Sequence, residues 1–277
     1  MEKKLDSIII SFFVLITLSV VLVAVFSIYG SLYQNTPKLI EENTDESEVE
    51  VLADDSEHTL AISADMGQEY IDNIVFLGES TTYGLKRYGV LSGGVNTNQV
   101  WTGALVKDGQ VSSSGTLSLS PAIAQAKIYY PDTGEALTIS QAINKKEPKY
   151  LIITLGLNNG ASYYNEKDFK QCYRILLDSI ISCNKQTKII LQSLFPVSRN
   201  CSIKAYTPSR LNECNNWIYD IAAEYDLKYL NTTECLSDGE GYLLAEFDNG
   251  GDGIHLNADG LKAVIRYIRI HGYSYEN

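Results

Sequence analysis

The chain has 277 residues, 22 Lys+Arg against 34 Asp+Glu, a formal net charge of -12 and a pI near 4.7. That balance argues against a nucleic-acid partner, because neutralising phosphates takes a clustered basic face and Lys145-Lys146 is no more than a pair. The hydrophobic fraction of 45% is that of a globular protein with a full core, in one large or two small domains.

The elements follow in chain order. Lys3 and Lys4 precede an uncharged apolar run from Ile8 to Tyr29. About 20 such residues span a bilayer as a helix. The best cleavage candidate, Ile28-Tyr29-Gly30, lacks the small-residue pattern of a signal peptide. Residues 1–30 are therefore predicted to be an uncleaved membrane anchor. Lysines before it and acids after it predict a cytoplasmic N-terminus and an extracytoplasmic remainder. In residues 31–68, Glu41, Glu42, Asp45, Glu46, Glu48, Glu50, Asp54, Asp55 and Glu57 crowd together with few aromatics. Such a segment buries too little apolar area to offset its ordering entropy, so a flexible acidic stalk is predicted there. His58, inside it, is a poor catalytic candidate.

The folded domain is predicted over residues 69–277. Apolar runs predict buried strands over residues 72–78, 150–156, 188–194 and 228–230. Helical spacing predicts helices over residues 139–145, 165–183, 209–225 and 258–270. The Gly/Ser/Thr-rich stretch 89–134 is predicted as short strands or an elaborated loop. Strands alternating with helices imply crossovers, a mainly parallel sheet and helices on both faces, an α/β class. Cys172, Cys183, Cys201, Cys214 and Cys235 form no C-x-x-C pair, so zinc and redox-motif readings have no support.

The first strand ends in Gly78-Glu79-Ser80. A hydroxyl at the C-terminal edge of a parallel sheet stands where ligands bind, but a serine needs a base, an orienting group and oxyanion donors. His255, in the glycine-rich loop 248–257, follows Asp252 by three residues. On a turn, that spacing lets the carboxylate fix the imidazole tautomer and leave Nε2 as the base. His271, at the end of the last helix, reads as structural. The second strand ends in Gly156-Leu157-Asn158-Asn159-Gly160, where an Asn amide can face an oxyanion or simply serve a polar turn.

Gly78-Glu79-Ser80, Gly156-Leu157-Asn158 and Asp252-Gly253-Ile254-His255, in that order, resemble the blocks of the SGNH hydrolases, also called GDSL esterases. The resemblance covers about residues 70–277. It implies a flavodoxin-like three-layer α/β/α sandwich with Ser80 as nucleophile, His255 as base and Asp252 orienting it. The oxyanion donors it implies are the Ser80 N–H, the Asn158 side chain and a glycine N–H. Gly103 and Gly115 are both candidates for that glycine, and Gly103 is preferred. Glu79 stands where the family has Asp, a residue expected to serve the turn rather than the chemistry. No metal or cofactor is implied.

The expected activity is hydrolysis of carboxylic esters through an acyl-enzyme, with O-acetylated envelope glycans suggested by the location. An acyltransferase using the same residues and an idle glycan-binding domain are the rivals. Asp248, Asp252 and Asp259 partly resemble a calcium loop, but position three is Gly250 and position twelve is Asp rather than Glu.

Overall fold

The computed structural model describes residues 57–91 and 98–273. The predicted anchor and residues 31–56 of the predicted stalk lie outside them. Among the described residues, no helix is long and apolar enough to cross a membrane.

Five strands build the central sheet: β1 (Ile74–Gly78), β2 (Val100–Trp101), β7 (Tyr150–Thr154), β8 (Lys188–Gln192) and β9 (Lys228–Leu230). Their order is β2-β1-β7-β8-β9, and every pair is parallel. All five residues of β1 and of β7 are buried, which is why these segments read as unbroken apolar runs. Two small antiparallel hairpins stand apart, β3 (Leu105–Lys107) with β4 (Gln110–Ser112) and β5 (Lys127–Tyr130) with β6 (Glu135–Thr138). Within the stretch 89–134 the described residues carry β2, the β3–β4 hairpin and β5, whose partner β6 follows it, and Asp108-Gly109 turns the first hairpin with positive φ at both residues.

Among the described residues, seven α-helices cover the sheet: α1 (Gly67–Asp72), α2 (Ser80–Arg87), α3 (Ile139–Lys146), α4 (Glu166–Cys183), α5 (Pro208–Glu224), α6 (Thr233–Leu236) and α7 (Ala258–Arg269). Val75, Leu77, Leu151, Ile153 and Leu191 point to one face, where they meet Ile143 of α3, Leu176 of α4 and Ile218 of α5. Ile74, Phe76, Ile152 and Ile190 point to the other, against Ile71 of α1, Leu85 of α2, Leu236 of α6 and Val264 of α7. The result is a three-layer α/β/α arrangement. Four helix starts are fixed by side-chain caps. Thr138 and Gln141 form a capping box on α3, Asn165 accepts from the Asp168 N–H, Thr207 from the Arg210 N–H, and Asn257 from the Asp259 and Gly260 N–H groups. Each cap is worth about 1 kcal/mol.

The domain starts earlier than residue 69. Leu60 is buried, its N–H donates to the Tyr229 carbonyl, and the Tyr229 N–H donates to the His58 carbonyl. The stretch 57–68 thus lines the free edge of β9 and reaches α7, where Arg269 pairs with Asp65. The acidic composition hid this, because main-chain pairing at a sheet edge is indifferent to side-chain type. All five cysteines are free thiols, with Cys172 and Cys214 buried.

The chain leaves β1 for β2 on one side and arrives at β7 on the other. The strand order therefore reverses between β1 and β7, and a crevice opens at their C-terminal ends. Ser80 follows β1 and Asn158 follows β7, so the sheet itself brings these two segments together.

Candidate active site

Ser80 is the first residue of α2, with Glu79 in extended conformation before it. The first N–H groups of a helix have no intrahelical partner, and the positive end of the helix dipole sits there. A hydroxyl at this position has an anion-stabilising backbone next to it.

Asp252 and His255 meet as the spacing predicts. His255 Nδ1 lies 2.6 Å from Asp252 Oδ2. The other carboxylate oxygen, Oδ1, accepts the N–H groups of Ile254 at 2.9 Å and His255 at 3.1 Å. Burial works against the Asp252 charge, but these two N–H groups and the imidazole outweigh it, and its pKa is lowered. The carboxylate stays ionised, takes Nδ1–H as its donor and leaves Nε2 to accept a proton. The loop is braced from two sides. The Ser198 N–H donates to the Gly253 carbonyl at 2.8 Å, and Asn257 Nδ2, in the cap of α7, donates to the Asp248 carbonyl at 3.1 Å. Asp248 accepts from the Gly250 N–H and the Ser198 hydroxyl, so both Asp248 and Asp252 serve their own loop rather than a shared calcium position.

Ser80, Asp252 and His255 line one cavity of about 280 Å³, with Tyr83, Arg87, Tyr88 and Asn249. Ser80 also borders a second cavity of about 310 Å³, lined by Tyr83, Thr102 and the segment Ser113 to Thr116. The nucleophile candidate thus stands between two spaces, one on the histidine side and one on the side of β2.

Asn158 is half-buried, and its Nδ2 donates to Thr116 Oγ1 and to the Leu117 carbonyl, each at 3.2 Å. The amide is held by these two long bonds beside Thr116, which lines the second cavity, and Asn158 itself lines neither cavity. Gly103 and Gly115, the two candidates for the glycine donor, turn out to face one another. A Cβ on Gly103 would lie 2.5 Å from the Thr116 carbonyl carbon, and one on Gly115 would lie 2.5 Å from that of Ala104. Both are glycine because two backbones cross here in contact. Gly103 stands just past β2, bridged to Ile128 through bonds that belong to its neighbours, Ala104 N–H to Lys127 and Tyr129 N–H to Thr102. Its own N–H therefore points away from β5. Gly115 lines the second cavity, whereas of the Gly103 neighbourhood only Thr102 does.

The residue that sequence reasoning misjudged is Glu79. It makes no capping bond to the turn it was expected to serve. Its side chain crosses instead to the end of β7, where Oε1 accepts the Leu157 N–H at 2.7 Å and Oε2 the Asn158 N–H at 2.8 Å. The residue is 1% exposed. Burial is the largest influence and pushes its pKa up to about 7, against the pull of the Asn158, Leu157 and Gly156 N–H groups. Glu79 therefore ties the serine turn to the Asn158 turn. A carboxylate placed after five buried residues, with no cation beside it in sequence, was the available signal. His271 is structural as expected, buried, stacked on Tyr267 and bonded to its carbonyl at 2.9 Å.

Ser80, Asp252 and His255 line one cavity beside the C-terminal edge of a parallel sheet, and these are the residue types a serine hydrolase uses. The chain belongs to the GDSL-like Lipase/Acylhydrolase family, whose model matches residues 76–263. It is a serine ester hydrolase of the SGNH/GDSL type. No curated protein matches the chain. Among solved structures, it is similar to a GDSL-like lipase from Bacteroides thetaiotaomicron, with 15% identity, 74% of this chain and 89% of that one covered, and a TM-score of 0.49. It is also similar to a carbohydrate esterase family 3 protein from Talaromyces cellulolyticus, with 15% identity, 72% and 93% covered, and a TM-score of 0.43. A carbohydrate acetylesterase from Sinorhizobium meliloti matches with 15% identity, 71% and 95% covered, and a TM-score of 0.41.

Proposed function

We propose that the chain is a membrane-anchored, extracytoplasmic serine esterase that cleaves acyl groups, O-acetyl groups among them, from envelope glycans through an acyl-enzyme. The observation that carries the chemistry is the 2.6 Å Asp252–His255 bond in a loop that shares a cavity with Ser80. Support for the location is the uncharged run from Ile8 to Tyr29 behind Lys3 and Lys4. The glycan ester reading follows from that location.

His255 Nε2 takes the Ser80 proton as Oγ attacks the ester carbonyl carbon. The oxyanion is held by the Ser80 N–H, a glycine N–H (Gly103 or its neighbour Gly115) and Asn158 Nδ2, which exchanges a long bond to Thr116 or Leu117 for it. The intermediate collapses as the imidazolium protonates the departing alkoxide. Water then attacks the acyl-enzyme with His255 again as base, the carboxylic acid leaves, and Ser80 recovers its proton. Asp252 keeps the tautomer throughout, and Glu79 holds the Asn158 turn in register with Ser80.

The test is hydrolysis of p-nitrophenyl acetate by the full chain and its His255→Ala variant, together with protease access to the domain in intact cells. Turnover lost in the variant and a cleavable external domain are expected. A folded but inactive chain would favour the glycan-binding rival. Turnover only with a glycan acceptor present would favour the transferase. A protected domain would remove the location and the substrate argued from it.

A further inference from the structure

The two cavities that meet at Ser80 are not equivalent, and the mechanism assigns them. The imidazolium must protonate the departing oxygen, so the alcohol leaves through the cavity that His255 lines, while the acyl group faces the other side of Ser80. The alcohol-side cavity has a distinct chemistry. Ser80, Tyr83, Gly84, Arg87 and Tyr88 all line it, at positions i, i+3, i+4, i+7 and i+8 of α2 and its first following residue. That spacing is one face of a helix. The groove therefore runs from the serine down α2, with Gly84 as its floor, and the loop of Asn249 and His255 forms the opposite wall.

Two features of this face point to a ligand. Tyr83 and Tyr88 are among the large hydrophobic side chains left exposed, and both border the groove rather than the core. Arg87 is an uncommitted cation. Arg174 pairs with Glu224, Arg199 with Asp238 and Glu240, Arg210 with Glu213, and Arg269 with Asp65. Arg87 and Arg266 form no ion pair among the described residues, and of the two Arg87 alone borders the groove. Its guanidinium lies 5.7 Å from the Tyr88 ring centroid, which leaves its hydrogen-bond fork available. The carboxylate nearest the catalytic end, Asp252, is occupied by His255 and two N–H groups. In a chain of net charge -12, an unpaired arginine on the wall of the catalytic groove is set against the general field.

We propose that the α2 groove is the leaving-group site and that Arg87 selects alcohols bearing an anionic group, with Tyr83 and Tyr88 stacking on the ring between that group and the ester. Seven residues of helix place Arg87 about 10 Å along the axis from Ser80. That is the span of two sugar rings, so the fitting substrate class is an acidic oligosaccharide with the ester on one ring and the carboxylate or phosphate on the next. The proposal rests on the esterase reading above.

The test compares two acetyl esters that differ only in charge, 7-acetoxycoumarin-3-carboxylate and 7-acetoxycoumarin-3-carboxamide, using the full chain. The expected ratio of kcat/KM favours the anion by about five-fold, the size of a partly exposed ion pair. In Arg87→Gln the ratio falls to about one, in Arg87→Glu it inverts, and about 1 M salt, which screens beyond about 3 Å, removes the preference of the wild type. Both esters cleaved with the same ratio in wild type and Arg87→Gln overturns the anionic site and leaves the esterase reading intact. Neither ester cleaved by folded wild type overturns the esterase reading, and the site with it.

Discussion

Glu79→Gln separates the two consequences of placing a carboxyl group beneath the catalytic turns. Glu79 is 1% exposed, and its pKa is pushed from 4.5 to about 7. A folded pKa above the unfolded one means that the contribution of this group to stability is full below about pH 4.5 and is lost as pH rises through about 7. At about 1.4 kcal/mol per pH unit, the ionised form costs the domain about 3 kcal/mol at alkaline pH relative to acid. Glutamine carries no charge, so its contribution does not vary over this range. It also has one acceptor oxygen in place of two, which leaves the Leu157 or the Asn158 N–H unpaired at a cost of about 1–3 kcal/mol. The variant is therefore less stable than wild type at pH 5 and draws level with it, or passes it, near pH 8.5. For a domain of this size the change in the Tm difference is about 5–10 °C. The assay is thermal unfolding of both proteins at matched pH values, with kcat measured alongside. A stability difference that stays constant with pH would mean that Glu79 does not change its protonation on folding, and the account of its burial would be wrong.

Three further outcomes are expected. Asp252→Asn keeps an acceptor for the Ile254 and His255 N–H groups but offers an NH₂ to Nδ1, which selects the wrong tautomer; kcat on an acetyl ester falls about 10³- to 10⁴-fold with little change in Tm. Asn158→Ala removes one oxyanion donor and lowers kcat about 10²- to 10³-fold while KM stays near its wild-type value, as steady-state kinetics will show. Gly115→Ala forces a methyl to within 2.5 Å of the Ala104 carbonyl carbon and destabilises the domain by about 1–3 kcal/mol in denaturant unfolding, with Gly103→Ala acting alike.

Much of this architecture is legible in the residues. β1, β7 and β8 are buried on both faces, so each appears as an uninterrupted apolar run, and the three long helices, α4, α5 and α7, carry one apolar face apiece. The Asp252–His255 contact is local, and three residues of a turn suffice to make it. What escapes has the opposite character. β2 is two residues long, the hairpins of β3–β6 are three to four residues each, and their pairing is decided by neighbours rather than by propensity. The 57–68 edge is held by main-chain bonds that its acidic side chains do not announce. Glu79 bonds N–H groups 78 and 79 residues away, a distance over which no local pattern operates. The α2 groove lies between. Its i, i+3, i+4, i+7 spacing stands in the sequence, but only the placement of α2 across a cavity from the Asn249–His255 loop makes that face a wall of the site.

The central claim is that Ser80 is an activated nucleophile. The direct measurement is treatment of the folded full-length chain with a fluorophosphonate, followed by peptide mapping by mass spectrometry. The account predicts a single phosphonyl adduct on Ser80, abolished in His255→Ala. A folded wild-type chain that takes up no adduct, or takes it up on another residue, would contradict it.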